Sequence, residues 1–213
     1  MIHAYDRTYL NNARHALARM LDFAVYDLHY DLSRFLELFI ASGIAELFEA
    51  GDCSVTAGRS GVELAYEVLD RAGVTQKRVT PTYADGLSEE YWIGWALAYY
   101  QWETSIRFKE LFRYVPASDL LMLYAPYHEM DIRQFVDRVD AMYLAAKKET
   151  SLKYYRRSAG LSQRDLAELS GIPVRTIQQY EQRQKNINKA QTAYLVTLAK
   201  ILYCRVEDLM ERV

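Results

Sequence analysis

The first 150 residues are dominated by one pattern, in which apolar side chains recur at spacings of three and four rather than two. This period is that of an amphipathic helix, and glycine and proline fall mainly between the periodic stretches. Ser60-Gly61-Val62-Glu63 is a capping box that opens one helix, and Gly51-Asp52 closes another. The pattern predicts helices at about 6–29, 32–49, 60–72, 88–103, 105–113, 118–126 and 129–157, with 73–86 as the longest irregular connection.

A second pattern occupies residues 163–180, which read Q-R-D-L-A-E-L-S-G-I-P-V-R-T-I-Q-Q-Y. Ala167 leaves room for two short helices to cross, and Gly171 can adopt the positive φ that a tight turn between them requires. Ser162 with Asp165 predicts a capping box, and Pro173 suits a helix start. One side of the pair is apolar: Leu166, Ile172, Ile177 and Tyr180. The spacing predicts a helix-turn-helix whose second helix has a free polar face.

The flanking residues extend this motif over roughly 150–213. They are Leu152-Lys153-Tyr154-Tyr155-Arg156-Arg157, Ala159-Gly160-Leu161-Ser162-Gln163, Leu198-Ala199-Lys200-Ile201-Leu202 and Val206-Glu207-Asp208-Leu209. In register, these segments resemble the Cro-like phage-repressor family, also called Xre, in which five short helices bind DNA. Two positions differ: Gln182-Arg183 stands where Asn-Gly is common, which predicts a longer recognition helix, and Tyr203 replaces a common glycine.

The resemblance implies a role for each side chain of the predicted interface. Val174, Arg175 and Gln179 face base edges, with Thr176 and Gln178 at the margin of that contact. Ser162 and Gln163 bind a phosphate at the N-terminus of the preceding helix. Arg183, Lys185 and Lys189 are further backbone contacts, and Arg156 corresponds to a position that pairs with Glu181. Because one motif reads few base pairs, we expect a homodimer on a pseudo-palindromic operator of double-stranded DNA.

Charge divides the chain in the same way. Residues 151–213 contain 11 Lys and Arg against 6 Asp and Glu, whereas residues 1–150 contain 15 against 22. The net charges of +5 and −7 suit a polyanion and a protein partner respectively. The sequence therefore predicts an all-α protein with an acidic, multi-helix, partner-binding domain at 1–130, a helical linker at 131–149 and a five-helix, Cro-like helix-turn-helix domain at 150–213.

The remaining sequence features narrow the class of protein. The apolar run 92–100 is too short to span a bilayer, residues 1–6 lack a signal-peptide pattern, and Cys53 and Cys204 have no metal-ligand spacing. His128-Glu129-Met130-Asp131-Ile132 lacks the second histidine of a zinc-protease helix. We expect a cytoplasmic protein with no membrane contact, no cofactor, no metal and no enzymatic site.

An aromatic segment at residues 90–102, E-Y-W-I-G-W-A-L-A-Y-Y-Q-W, leaves two interpretations open. Gly94 and Ala98 allow another helix to approach closely, as in a central core helix. Alternatively, its large aromatic residues form a partner-binding groove: Trp92, Trp95, Tyr99 and Trp102.

These features support three hypotheses about function. The segment 91–102 is similar to segments of antitoxin-type bacterial regulators, which implies an antitoxin that neutralises a protein toxin and represses their operon. The second hypothesis is a ligand-responsive or phage-type repressor without a toxin. The third, an enzyme with an appended DNA-binding module, has no site to support it.

Overall fold

The computed structural model describes residues 3–82 and 87–211, and all regular elements in these ranges are helical. The all-α prediction is confirmed. Residues 83–86 of the predicted irregular connection lie outside the described residues. The α-helices are α1 (Arg7–Tyr26), α2 (Leu32–Ala41), α3 (Ile44–Glu49), α4 (Cys53–Thr56), α5 (Gly61–Arg71), α6 (Glu89–Thr104), α7 (Phe108–Tyr114), α8 (Ala117–Leu121), α9 (Tyr124–Tyr127), α10 (Ile132–Ala146), α11 (Ser151–Ser158), α12 (Gln163–Ser170), α13 (Val174–Glu181), α14 (Thr192–Ile201) and α15 (Val206–Leu209).

The chain forms two compact units, residues 1–146 and 147–213. Helix α10 belongs to the first, because Phe135 and Val139 are fully buried in its core. The predicted continuous helix over 129–157 is interrupted between α10 and α11. Thr150 is the N-cap of α11, because the Thr150 side chain accepts a hydrogen bond from the Lys153 amide. Helix α11 therefore begins as a separate helix. The residues predicted to link the domains therefore include a core helix of the first unit.

Helix α1 is the centre of the first unit, and it packs against α5 and α6. Two glycines make this packing possible. A Cβ atom on Gly61 would lie 2.5 Å from the Met20 backbone nitrogen, and one on Gly94 would lie 2.7 Å from the Ala18 Cα. The predicted close approach at Gly94 is confirmed, and its partner is α1.

Backbone turns divide two of the predicted helices of the first unit. The helix expected over 32–49 is interrupted by Gly43, which adopts a left-handed φ of 76° between α2 and α3. The helix expected over 118–126 is divided into α8 and α9. The capping box at the start of α5 is present, with Ser60 Oγ accepting from the Glu63 amide and the Glu63 carboxylate accepting from the Ser60 amide.

The second unit contains the five predicted helices, α11 to α15, and a short 3-10 turn at Ile187–Lys189. Each helix contributes at least one buried apolar side chain to a common small core: Leu152, Leu166, Ile177, Leu198 and Leu209. Helix α12 packs against both α13 and α14. The arrangement buries one side of α13 and leaves the other accessible, which is the geometry required of a recognition helix.

Candidate nucleic-acid interface

The turn between α12 and α13 depends on the conformation of Gly171. Its φ is 68°, and its amide donates to the Ala167 carbonyl over 2.9 Å, closing α12. A Cβ atom at this position would meet nothing within 4 Å. Glycine is therefore required for its left-handed backbone rather than for space, as predicted from the sequence.

The N-terminus of α12 is fixed by the predicted capping box. Ser162 Oγ accepts from the Asp165 amide over 3.1 Å, and the Asp165 carboxylate accepts from the Ser162 amide over 2.8 Å. The hydrogen bonds from Ser162 hold the pKa of Asp165 below its ordinary value. Ser162 is exposed, so this helix terminus faces solvent.

Helix α13 has one buried side and one accessible side. Ile177 and Tyr180 are buried in the core of the second unit. Val174 and Arg175, in the first turn, are exposed, whereas Thr176, Gln178 and Gln179 are half-buried. The five side chains predicted to face DNA thus lie on one helix, with the two most accessible at its N-terminal end.

A buried hydrogen-bond network holds the two helices of the motif together. Arg156 Nε and Nη2 donate to the two carboxylate oxygens of Glu181 over 2.6 and 3.0 Å, forming the pair that the sequence resemblance implied. Gln163 Nε2 donates to Glu181 Oε2 over 2.7 Å, and Gln178 Nε2 donates to Gln163 Oε1 over 3.3 Å. Gln163, predicted to contact phosphate, therefore also joins α12 to α13.

The recognition helix ends at Glu181, so the expectation of a longer helix is wrong. Arg183 follows the C-cap Gln182 and adopts a left-handed φ of 56°, which a continuing helix cannot accommodate. Its guanidinium donates to the carbonyls of Lys147 and Lys148 over 3.3 and 3.4 Å, a structural contact that sequence reasoning missed. Its predicted phosphate contact remains a prediction.

The other two predicted backbone contacts lie beyond the recognition helix. Lys185 is exposed, and its Nζ lies 5.8 Å from the centroid of the Tyr180 ring. Lys189 is exposed at the end of the 3-10 turn. Both side chains are accessible to a phosphate, and neither is part of the buried network.

The segment after α15 is tied to the start of the second unit through Glu211. Its carboxylate accepts from the Ser151 amide and lies 3.9 Å from Lys147 Nζ and 3.8 Å from Arg183 Nη2. Its backbone also pairs with the Asn188 side chain. Glu211 thus connects α11 to the segment that follows α13, and no local sequence pattern indicated this.

The aromatic segment on α6 is mostly part of the first unit's core. Trp92 packs edge-on against Phe135 with centroids 5.3 Å apart, and Trp102 is buried and donates from Nε1 to the Tyr5 carbonyl over 2.8 Å. Trp95 and Tyr99 are half-buried, and the Arg14 guanidinium lies 3.1 Å from the centroid of Trp95. The four aromatic residues therefore do not form one exposed groove. Partner binding at Trp95 and Tyr99 remains a prediction.

Two further properties bear on the class of protein. Among residues 3–82 and 87–211, His, Cys, Asp and Glu nowhere form a group of three that could hold a metal ion. The described helices include none with the length and hydrophobicity that crossing a membrane would take.

A comparison with known protein families matches part of the second unit. Residues 152–202 match the model of a helix-turn-helix family of Cro/C1 type. The match spans α11 to α14 and includes every predicted DNA-contacting residue. This part of the chain is a helix-turn-helix of the kind that DNA-binding transcription regulators carry. No curated protein and no solved structure was found to match the chain.

Proposed function

We propose that this protein is a sequence-specific transcription regulator that reads operator DNA with α13. The observation that carries the proposal is the buried Arg156–Glu181–Gln163 network, which fixes α13 against α12 while Val174 and Arg175 stay exposed. A helix held in this way presents its N-terminal side chains in a defined geometry, as direct readout in a major groove requires.

Individual side chains then have distinct roles. Arg175 is the best candidate for a paired hydrogen bond to guanine, and Gln179 for one to adenine. Val174 offers an apolar surface to a thymine methyl group. Ser162, at the N-terminus of α12, binds a backbone phosphate with the help of the helix dipole. Gln163 acts at the same terminus and also keeps α13 in place.

Affinity measurements on an operator isolated by binding-site selection test these roles. Arg175→Ala is expected to weaken binding by about 1–3 kcal/mol and to relax preference at one base pair. Gln163→Ala is expected to weaken binding to all sequences, because it removes a phosphate contact and loosens the hold on α13 without removing a base contact. Lys200→Ala is the control, since it also removes one positive charge, from an exposed site at the C-terminal end of α14. Arg175→Ala and Lys200→Ala behaving identically would refute the assignment.

We also propose that the regulator binds as a homodimer on two half-sites. One helix-turn-helix contacts only a few base pairs, so specific binding usually requires two copies about one helical turn apart. Light scattering of the free protein and of its operator complex tests the proposal. A protein that is monomeric in solution and binds its operator as a single copy would exclude a homodimer.

A finer proposal is that the first unit binds a protein toxin, so that the chain serves as an antitoxin and represses its own operon. The net charge of −7 over residues 1–150 supports it, as does the half-exposed pair of Trp95 and Tyr99 beneath Arg14. Co-expression of the full chain with each neighbouring gene tests it: suppression of toxicity that Arg175→Ala leaves intact is expected. Recovery of no toxic neighbour would reject it.

The alternative is a repressor that responds to a small ligand. It is favoured by one observation in the first unit, a cavity of about 1050 Å³ beside α1. A cavity of this size is at the upper end of the range for small-molecule sites.

A further inference from the structure

The cavity of the first unit runs along one face of α1. Asn12, His15, Arg19, Asp22 and Tyr26 line it at helical spacing, so its floor is about 21 Å long at 1.5 Å per residue. The turn before α5 forms one wall, and the start of α6 forms the other. The close approach of α5 to α1 at Gly61 brings the first wall against the floor.

The half of the cavity near Arg59 is electrically balanced. Arg59 lies 2.9 Å from Glu67, which also pairs with Arg71 over 2.7 Å. Glu63 accepts hydrogen bonds from the backbone and side chain of Ser60. The charges of these two carboxylates and two guanidinium groups cancel. This half therefore offers hydrogen-bonding groups without net charge.

The other half has an excess of negative charge. Arg19 contacts two carboxylates, Asp22 and Asp27, the second at 3.5 Å. Burial raises the pKa of the Tyr26 hydroxyl, and the neighbouring carboxylates of Glu90, Asp22 and Glu89 raise it further. Among the described residues, Asp22 and Asp27 therefore give this half one negative charge more than Arg19 balances.

The distribution of charge selects the class of ligand. A phosphate or carboxylate compound would be repelled by the acidic half, and neither lining arginine lacks a carboxylate partner. Asp22 Oδ1 accepts from Ser88 Oγ over 2.6 Å and Oδ2 pairs with Arg19, but each carboxylate oxygen can accept a second hydrogen bond. An ammonium group can reach Asp22 from the cavity, because this side chain is 16% exposed. The adjacent Tyr26 ring can contribute a cation–π contact.

We propose that this cavity binds a small organic polyamine, with one protonated nitrogen at the Asp22–Tyr26 end and the rest of the chain, including its further nitrogens, along the polar groups of the half near Arg59. One ammonium group of the ligand donates hydrogen bonds to Asp22. Ser60 and His15 supply polar groups to the remainder of the ligand. The site deepens the ligand-responsive alternative, but binding of the amine does not depend on DNA recognition.

Isothermal titration of the full chain with spermidine tests the proposal at constant ionic strength. Saturable binding is expected, whereas 1,8-octanediol, a neutral chain of similar length, does not bind. Hexaamminecobalt(III) controls for diffuse attraction, because it has a similar charge in a compact shape, and it is expected not to displace spermidine. Asp22→Asn should weaken spermidine binding roughly tenfold, the equivalent of one charge-assisted hydrogen bond.

Matched variants separate this site from general surface charge. Glu37→Gln removes the same charge from a side chain that is 67% exposed on α2, and it should leave spermidine binding unchanged. Ala57→Phe fills the cavity from an exposed lining position without altering charge, and it should abolish binding even if Asp22→Asn does not fold. Operator affinity, measured separately without amine, should be unchanged in Ala57→Phe.

Three results would overturn the proposal. Spermidine affinity that survives both Asp22→Asn and Ala57→Phe would show that the amine binds elsewhere. Equal binding of hexaamminecobalt(III) would show a diffuse charge effect. If the full chain binds a lysine-rich peptide but not spermidine, the cavity is a docking site for a protein segment.

Discussion

Replacing Glu181 by glutamine tests how the recognition helix is held. The Glu181 side chain is only 2% exposed and accepts three hydrogen bonds, two from Arg156 and one from Gln163. Glutamine keeps the volume and one oxygen, but it removes the negative charge and turns an NH2 group toward donors. Arg156 would remain buried without its hydrogen-bonded counter-charge.

The expected cost follows from these contacts. A hydrogen bond to a charged group contributes about 1.5–3 kcal/mol, and at least one such bond is lost. Breaking a buried ion pair by removing one partner costs about 3–5 kcal/mol. Arg156 Nη1 still donates a hydrogen bond to the Leu161 carbonyl, so we expect the loss of stability to lie at the lower end of this range. We expect Glu181→Gln to destabilise the second unit by about 3 kcal/mol.

Hydrogen exchange measured by mass spectrometry can assign this loss to the correct unit. Peptides from α12 and α13 should exchange faster in Glu181→Gln. All three tryptophans lie within residues 92–102, so tryptophan fluorescence in urea reports on the first unit and should be unchanged. The double variant Arg156→Met, Glu181→Leu should recover most of the stability, because an apolar pair leaves no buried charge.

A loss of stability below about 1 kcal/mol, the value of an exposed ion pair, would contradict a stabilising role for this buried network. A double variant that is less stable than the single variants Arg156→Met and Glu181→Leu would also contradict it. Either result would mean that apolar packing alone fixes α13, and that the network does not orient the DNA-contacting side chains.

Three further substitutions test local features by urea denaturation or hydrogen exchange. Gly94→Ala should destabilise the first unit by about 3 kcal/mol, because the new methyl group would meet the Ala18 backbone. Tyr203→Gly should stabilise the second unit by about 1 kcal/mol, since Tyr203 is 95% exposed and has a φ of 52°. Asp165→Asn should reduce the second unit's stability at neutral pH. The lowered pKa of Asp165 contributes stability that is fully present above the ordinary aspartate pKa and is lost as pH falls through the lower folded-state value. The difference between variant and wild type should therefore narrow as the pH falls below about 4.

Each of these expectations has an outcome that contradicts it. Glycine-to-alanine changes in open helical positions stabilise by about 1 kcal/mol, so a more stable Gly94→Ala would show that α1 and α6 can separate freely. A destabilised Tyr203→Gly would mean that the tyrosine ring has a packing role. Parallel pH profiles for Asp165→Asn and wild type would exclude a contribution from the capping box.

Features decided within a few residues could be predicted from the sequence. The capping box at Ser162, the left-handed turn at Gly171 and the apolar side of α13 each depend on steric or hydrogen-bonding demands between near neighbours. The Arg156–Glu181 pair joins residues 25 apart, and it was anticipated only through resemblance to a family.

Features decided by distant contacts could not be predicted. Helical periodicity shows that Trp102 lies on a helix, but its hydrogen bond reaches Tyr5, 97 residues away. The turn at Gly43 was missed because an isolated glycine is also tolerated inside a helix. The cavity beside α1 combines α1 with the starts of α5 and α6, so no single stretch of sequence contains its pattern.

Binding-site selection from a randomised duplex library tests whether this protein recognises a specific DNA sequence. The measurement should be made with the full chain at a salt concentration that suppresses non-specific binding. We expect enrichment of one pseudo-palindromic motif whose half-sites lie about 10 base pairs apart, and Arg175→Ala should change the enriched base at one position of each half-site. A wild-type protein that binds duplex DNA without enriching any sequence would exclude sequence-specific recognition.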